Sequence, residues 1–421
     1  MILRDPVHGL ISFEGDVGAI VERLLHAREV QRLRRIRALG HASLAFPGAE
    51  HSRFAHALGS AWVMKRYLDR VRVLGSDIPA ADRIDDDMAR VAMAAALLHD
   101  LGHGPYSHAF EAVVPGSARH ETWTSAIIMS PDTEVHRILS EIDPQMPSQV
   151  ERLIHGQSPI RHLARAVSGT FDVDRCDYLM RDSHMTGVRY GLLDLDWLMR
   201  SLRLSLPEGG TAARLAVDGE KGLTAVEGFF LARLYMYRQV YLHKAVRASE
   251  AVLRGLIRRL VELGPQPGTP PELEKMIRRE EVSTAEYLQL DDHALEAALV
   301  SYASGGDEVL RDLADRLRAR RLFKTTRLRP EVPREQAQDR LFEVVRAAGY
   351  EPRYYAMVDR VEVSAYEEDD AMTVLSGSQN RGLLEASHVL RGLSRERYVH
   401  YRAVFPPKAR DEVARALADL R

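Results

Sequence analysis

The side chains best suited to chemistry crowd the segment Ala94–His108. An apolar run ends there at His99-Asp100, and Gly102, Gly104 and Pro105 stop the helix. His99, Asp100, His103 and His108 therefore gather where a helix opens into a turn. Imidazole nitrogen beside carboxylate oxygen suits a divalent cation of intermediate hardness. A lone His-Asp pair means little in a chain with 17 histidines, so the question is whether it has partners. Upstream, His51-Ser-Arg-Phe-Ala-His56 opens a helix with two histidines and an arginine. Downstream, Phe171–Tyr178 carries three aspartates, and Arg181-Asp182 follow. Asp174, Asp177 and Tyr178 can share one helix face at i, i+3 and i+4. His56, His99, Asp100 and Asp174 make a mononuclear set of two nitrogens and two oxygens, with positions left for water and substrate. The plainer alternative is that each residue is a separate cap or ion-pair partner.

Helices must position these groups. Apolar periodicity predicts helices over Gly18–Ala38, Ser52–Leu74, Asp86–His99, His120–Ile128, Asp174–Asp182 and one long stretch, Thr224–Leu263. A ribbon is expected at Leu202–Leu206 and Arg214–Asp218 around a Glu-Gly-Gly turn. The Pro/Gly-rich run Gly264–Pro271 marks a linker or loop. Beyond it, helices at Asp292–Ala303, Asp307–Arg318, Glu335–Ala348 and Lys408–Leu420 alternate with strand-like Arg321–Leu328, Arg353–Val358, Thr373–Leu375 and Tyr398–Val404. The expected fold is mainly α, a helical core over 1–263 with a smaller C-terminal helical and α+β lobe over 264–421. The acidic run Glu367–Asp370 reads as solvated surface.

These motifs, in this order, resemble the HD-domain phosphohydrolases. Within them the chain is similar to the deoxynucleoside triphosphate triphosphohydrolases, which include the vertebrate SAM-and-HD-domain enzyme and its bacterial relatives. The likeness runs from Asp5-Pro-Val-His-Gly9 through Phe46-Pro-Gly48, the His51–His56 and His99–Glu111 segments, His120-Glu121, Asp172–Tyr178 and Arg181-Asp182 to Tyr241–Lys244. It covers roughly the first 250 residues, and no SAM domain is expected ahead of them.

The resemblance implies an HD-domain helical core and one divalent metal ion per site, held by His56, His99, Asp100 and Asp174. Manganese, iron, magnesium, zinc and nickel all fit such a donor set. It further implies hydrolysis of 2′-deoxynucleoside 5′-triphosphates at the α-phosphate, giving deoxynucleoside and tripolyphosphate. His120 would protonate the departing 5′-oxygen, with Glu111 and Glu121 orienting it and His108 beside it. Arg53, His103, His108, Arg175 and Arg233 would grip the phosphates, Lys244 more remotely. Tyr178 and Asp182 would contact the sugar, and Tyr241 would pack against its 2′ carbon. The family also implies a homo-oligomer, dimer or tetramer, and an allosteric nucleotide. Arg34 matches an arginine of the vertebrate effector pocket, but His26 replaces its acidic guanine reader. Ala38 and Leu242 stand where the vertebrate enzyme has glutamines near the nucleoside. Two alternatives are a phosphohydrolase or nuclease acting on another phosphate ester, and a nucleotide or single-stranded nucleic-acid binding module.

Composition sets few limits. The 421 residues carry 58 Lys plus Arg against 60 Asp plus Glu, a net charge of −2, which neither predicts nor excludes a polyanionic partner. The single cysteine, Cys176, rules out an intrachain disulfide. With no signal peptide pattern and no long apolar run, a cytoplasmic location without membrane contact is the expectation.

Overall fold

The computed structural model describes all residues except 76–77, 116, 170, 207–211, 220, 365, 367–371, 378 and 396, and it leaves the side chains of residues 108 and 379 undescribed. The Glu-Gly-Gly turn and the Glu367–Asp370 run thus lie outside the described residues. The chain opens with an antiparallel hairpin, β1 (Ile2–Asp5) and β2 (Gly9–Ser12). Its turn is an aspartate device, in which Asp5 Oδ1 accepts from Val7 N and His8 N, both at 2.9 Å.

The helices follow. α1 is Gly15–Leu25, α2 Arg53–Leu74, α3 Asp86–Leu98, α4 His120–Met129 and α5 Val173–Thr186. α3 is the buried spine, solvent-free from Val91 to Leu98, and α1 and α2 pack on it. Its start is set by Asp85, whose carboxylate accepts from Met88 N at 2.8 Å, and by Asp86 and Asp87 in the first turn. Asp172 caps α5 in the same way, accepting from Arg175 N at 2.8 Å.

The expected single helix over Thr224–Leu263 is two, α6 (Leu223–Met236) and α7 (Lys244–Leu263), joined by a π-helical turn at Tyr237–Tyr241. Apolar periodicity runs through the junction, so it hides the break. α7 restarts where the His243 side chain accepts from Ala245 N at 3.3 Å. α8 spans Asp292–Tyr302.

Two larger sheets complete the fold. β3 (Leu202–Ser205), β4 (Arg214–Asp218), β7 (Met372–Ser376) and β8 (Gln379–Gly382) form one, in that order. β5 (Lys324–Arg327), β9 (Arg397–Phe405) and β6 (Met357–Ser364) form the other. The strand expected at Arg353–Val358 is instead a short helix, Pro352–Tyr355, followed by β6. Proline at the first helical position explains the exchange, since its fixed φ suits a helix start and it lacks the N–H a ladder needs.

The molecule is mainly helical, with these few small sheets. One apolar core centres on α1–α6, and a second gathers α7, α8 and the β5–β9–β6 sheet. Among the described residues no helix is long and apolar enough to cross a membrane.

Candidate metal centre and active site

α2, α3 and α5 bring three ligand atoms to one point. His56 Nε2 lies 3.3 Å from His99 Nε2 and 2.9 Å from Asp174 Oδ1, and His99 Nε2 lies 3.4 Å from the same oxygen. Each ring is fixed through its other nitrogen. His56 Nδ1 donates to Asp177 Oδ2 at 2.8 Å, and His99 Nδ1 donates to the Ala96 carbonyl at 3.0 Å. In those tautomers both Nε2 lone pairs and a carboxylate oxygen face each other with no proton between them. Such an arrangement is repulsive until a cation occupies it, and the outer hydrogen bonds are those that orient metal-binding imidazoles. The donor chemistry therefore fits a divalent metal. Without a metal, a proton takes the cation's place. Although burial opposes it, Asp174 and Asp177 raise the His56 pKa to about 10, and the two imidazoles hold Asp174 below the carboxylate range, so the cluster favours positive charge at this point.

Asp100 sits at the edge of this cluster. Its oxygens are 3.6 Å from His99 Nε2 and 3.8 Å from His56 Nε2, while Arg53 donates to it directly and His103 Nε2 stands 3.3 Å away. A second group of close ligand atoms, Asp100, His103 and His120, continues across the cavity. His103 and His120 stack with ring centroids 3.8 Å apart. Burial and the Arg53 charge push the His103 pKa well down, so that ring is neutral. His120 Nδ1 contacts Glu111 Oε1 at 3.1 Å and lies 3.5 Å from Glu121 Oε2. Gly102 makes this possible, because a Cβ there would fall 2.2 Å from the His120 carbonyl oxygen.

The group around Asp182 is equally defined. Asp182 accepts from Tyr241 Oη and pairs with His51 Nε2, each at 2.8 Å. Tyr178 lies edge-on to both His56 and Tyr241, at 6.4 and 6.2 Å between centroids. One cavity of about 490 Å³ is lined by Arg53, His56, Asp100, His103, His120, Asp174, Tyr178, Asp182 and Tyr241, a volume suited to a nucleotide-sized ligand.

Other expected phosphate contacts are not brought into that lining. Arg175 donates to Asp172 and, at 2.6 Å, to the Gly169 carbonyl. Arg233 Nη1 donates to the Ser364 carbonyl at 3.2 Å with its guanidinium over Tyr237. Lys244 is exposed and lines a separate basic groove of about 990 Å³ with Arg320, Arg321 and Lys324. The His108 side chain lies outside the described residues.

The sequence did not single out the support behind His56. Asp177, fully buried, also accepts from Arg181 Nε and Nη2, at 2.9 and 2.8 Å, and pairs with His8 Nε2 at 2.7 Å. Arg181 Nη1 reaches on to Asp5 Oδ2 at 2.7 Å. The hairpin turn is thereby tied to the metal ligands. Gly59, three residues after His56, admits the carboxylate, since a Cβ there would lie 1.8 Å from Asp177 Oδ1. The available signal was the spacing of Asp5 and His8 beside the Asp177/Arg181 pair at i, i+4.

An HD-domain model matches residues 53–167. The chain is 31% identical over 417 residues to the uncharacterized protein YwfO of Bacillus subtilis, covering 96% of this chain and 92% of that one. It is 29% identical over 267 residues to the deoxynucleoside triphosphate triphosphohydrolase SAMHD1 homolog of Dictyostelium discoideum, covering 60% of this chain and 48% of that one. A crystal structure of a phosphohydrolase from Bacteroides thetaiotaomicron superposes with a TM-score of 0.80 at 27% identity, over 96% of this chain and 99% of that one. With its His-Asp centre built from α2, α3 and α5, this chain belongs to the HD-domain phosphohydrolase superfamily.

Proposed function

We propose that the protein hydrolyses 2′-deoxynucleoside 5′-triphosphates at the α-phosphate, releasing deoxynucleoside and tripolyphosphate. The observation that carries this reading is one cavity uniting three functions. It holds a His/Asp cluster fit for a metal, a carboxylate-oriented imidazole and a Tyr–Asp pair of sugar-binding type. The SAMHD1 name of the Dictyostelium relative supports the substrate class.

His56, His99, Asp100 and Asp174 would hold one divalent ion. Such an ion supplies Lewis acidity towards a phosphate oxygen and makes water more acidic. The remaining work belongs to the chain. Arg53 and neutral His103 bind phosphate oxygens beside the ligand cluster. His120, engaged by Glu111 at Nδ1 and flanked by Glu121, delivers a proton from Nε2 to the departing 5′-oxygen. Asp182 accepts from the 3′-hydroxyl, and the Tyr241 ring, pinned by its own bond to Asp182, covers the 2′ carbon and leaves a ribose hydroxyl no room.

Tyr178 and His108 complete the proposed binding set, whereas Arg175 and Arg233 would join it only by exchanging their bonds to Asp172 and the Ser364 carbonyl for phosphate. Lys244, in its basic groove, supports a second, effector nucleotide. Exposed Tyr190, Leu192 and Tyr235 support assembly as a homo-oligomer. All of these side chains fall within 1–263, which we propose as the catalytic unit, with 264–421 as its supporting lobe.

The test is chromatography of products from each of the four deoxynucleotides, singly and mixed, with several divalent metals. Intact tripolyphosphate and deoxynucleoside are expected. Pyrophosphate with monophosphate, or inorganic phosphate alone, would replace this reading with another phosphohydrolase activity.

A further inference from the structure

The cavity lining includes a group outside the proposed machinery. Arg247, Glu250 and Arg254, at i, i+3 and i+7 on α7, line it together with Val361 of β6. They span about 10 Å of helix on one face. Arg247 is committed elsewhere. It donates to both Asp359 oxygens at 2.7 and 2.6 Å and to Glu250 Oε2 at 2.5 Å, which holds the Glu250 carboxylate in place.

Arg254 differs. Its Nε is buried with no hydrogen-bond partner among the described residues, and burial lowers the guanidinium pKa. A buried donor without an acceptor costs about 1–3 kcal/mol, more when charged. Because Nε is enclosed, a ligand would meet this guanidinium through its Nη groups, which make no hydrogen bond or ion pair with the described residues while the side chain lines the cavity.

The neighbouring charge defines that acceptor. A phosphate brought to Arg254 would also meet the Glu250 carboxylate one turn away. A neutral edge carrying an acceptor beside donors satisfies both side chains. Ala38 and Leu242 also line the cavity, and they offer a base no side-chain hydrogen bonds.

Among the four bases, guanine presents O6 as acceptor next to two adjacent donors, N1–H and N2–H. A carboxylate takes the two donors and a guanidinium serves O6. Thymine offers one acceptor and one donor to such a pair. Adenine and cytosine place an amino group where Arg254 needs an acceptor.

We infer that Glu250 and Arg254 form a base reader that selects guanine in the deoxynucleotide bound at the catalytic cavity. This rests on the functional reading above.

The experiment measures kcat/KM and equilibrium binding for dGTP, dITP, dTTP, dATP and dCTP on the full-length wild type, Glu250→Gln and Arg254→Met. A preference for dGTP over dATP and dCTP of at least about tenfold is expected, because a site built to hydrogen-bond a group rejects the analogue lacking it. dITP, which lacks the 2-amino group, should fall between. Both variants should lose that preference through KM for dGTP while dATP is unchanged. Arg254→Met should keep or raise Tm, which a merely structural arginine would not allow. Base-indifferent wild type, or variants that slow all substrates equally, overturns the inference and leaves the hydrolase reading standing. Binding selective for dGTP and dependent on Glu250 and Arg254, without hydrolysis of any deoxynucleotide, does the reverse.

Discussion

The two walls of the catalytic cavity are held in different ways. On the ligand wall, His56, His99 and Asp174 come from three long helices, and His56 is backed by a buried chain of ion pairs through Asp177 and Arg181 to Asp5. On the wall proposed to donate the proton, the described residues between His99 and His120 form turns and one four-residue helix. Tyr106 and Ser107 there adopt left-handed backbone, φ 51° and 56°, which costs of order 1–3 kcal/mol per residue.

That strain is countered from a distance. Tyr106 N donates to Asp292 Oδ1 at 2.8 Å, Tyr287 Oη donates to the Gly102 carbonyl at 2.7 Å, and Trp123 stacks on Tyr287. In return, Ser107 Oγ accepts from Arg53 Nε at 2.8 Å, so the strained turn positions the arginine proposed to bind phosphate. The ligand wall is therefore braced within its own core, whereas the donor wall leans on residues nearly two hundred positions downstream.

Separate mutations should break each wall. The largest effect expected is from His120→Gln, which removes the proposed proton donor and should lower kcat by about 10²–10⁴-fold while leaving metal content unchanged. Single-turnover kinetics with elemental analysis checks both halves. Asp177→Asn should weaken metal affinity about 10–100-fold with the ligands untouched, read by competition with a chelator. Asp292→Ala should cost about 1–3 kcal/mol in denaturant unfolding, since it strips acceptors from the backbone N–H groups of Tyr106 and Arg37. If the ligand wall is independent of that brace, metal affinity in Asp292→Ala stays at the wild-type value.

The smallest effect concerns pH. His41, whose ring is tilted 39° against Tyr106, has its pKa lowered to about 4 by burial and by Arg37. Its folded-state pKa is depressed, so its stabilising contribution is full above the unfolded value near 6.5 and is lost as pH falls towards 4. His41→Phe should flatten that part of the stability–pH curve, measured by Tm between pH 4 and 7.

The same contrast explains what the sequence revealed. Ligand residues sit in short segments whose local spacing carries the chemistry, so His56, His99 and Asp174 were legible. Asp177 stood in a motif already noticed, but its role depends on the hairpin at Asp5 and His8. That hairpin is too short and polar for periodicity to mark. The brace from Asp292 and Tyr287 was invisible because nothing local links position 292 to position 106. The π-turn at Tyr237–Tyr241 was hidden by continuous helical patterning, and it is this turn that carries Tyr241 to Asp182. The Arg247, Glu250 and Arg254 group on α7 has i, i+3, i+7 spacing, yet only the fold shows that it lines the same cavity.

The most direct test is metal stoichiometry in the folded protein, wild type against His99→Ala, by elemental analysis after equilibration with manganese and removal of excess. One ion per wild-type chain and none in the variant, with unchanged helical content, is the predicted result. Full occupancy in folded His99→Ala would contradict the convergence of α2, α3 and α5 on a cation, and with it the catalytic reading of the cavity.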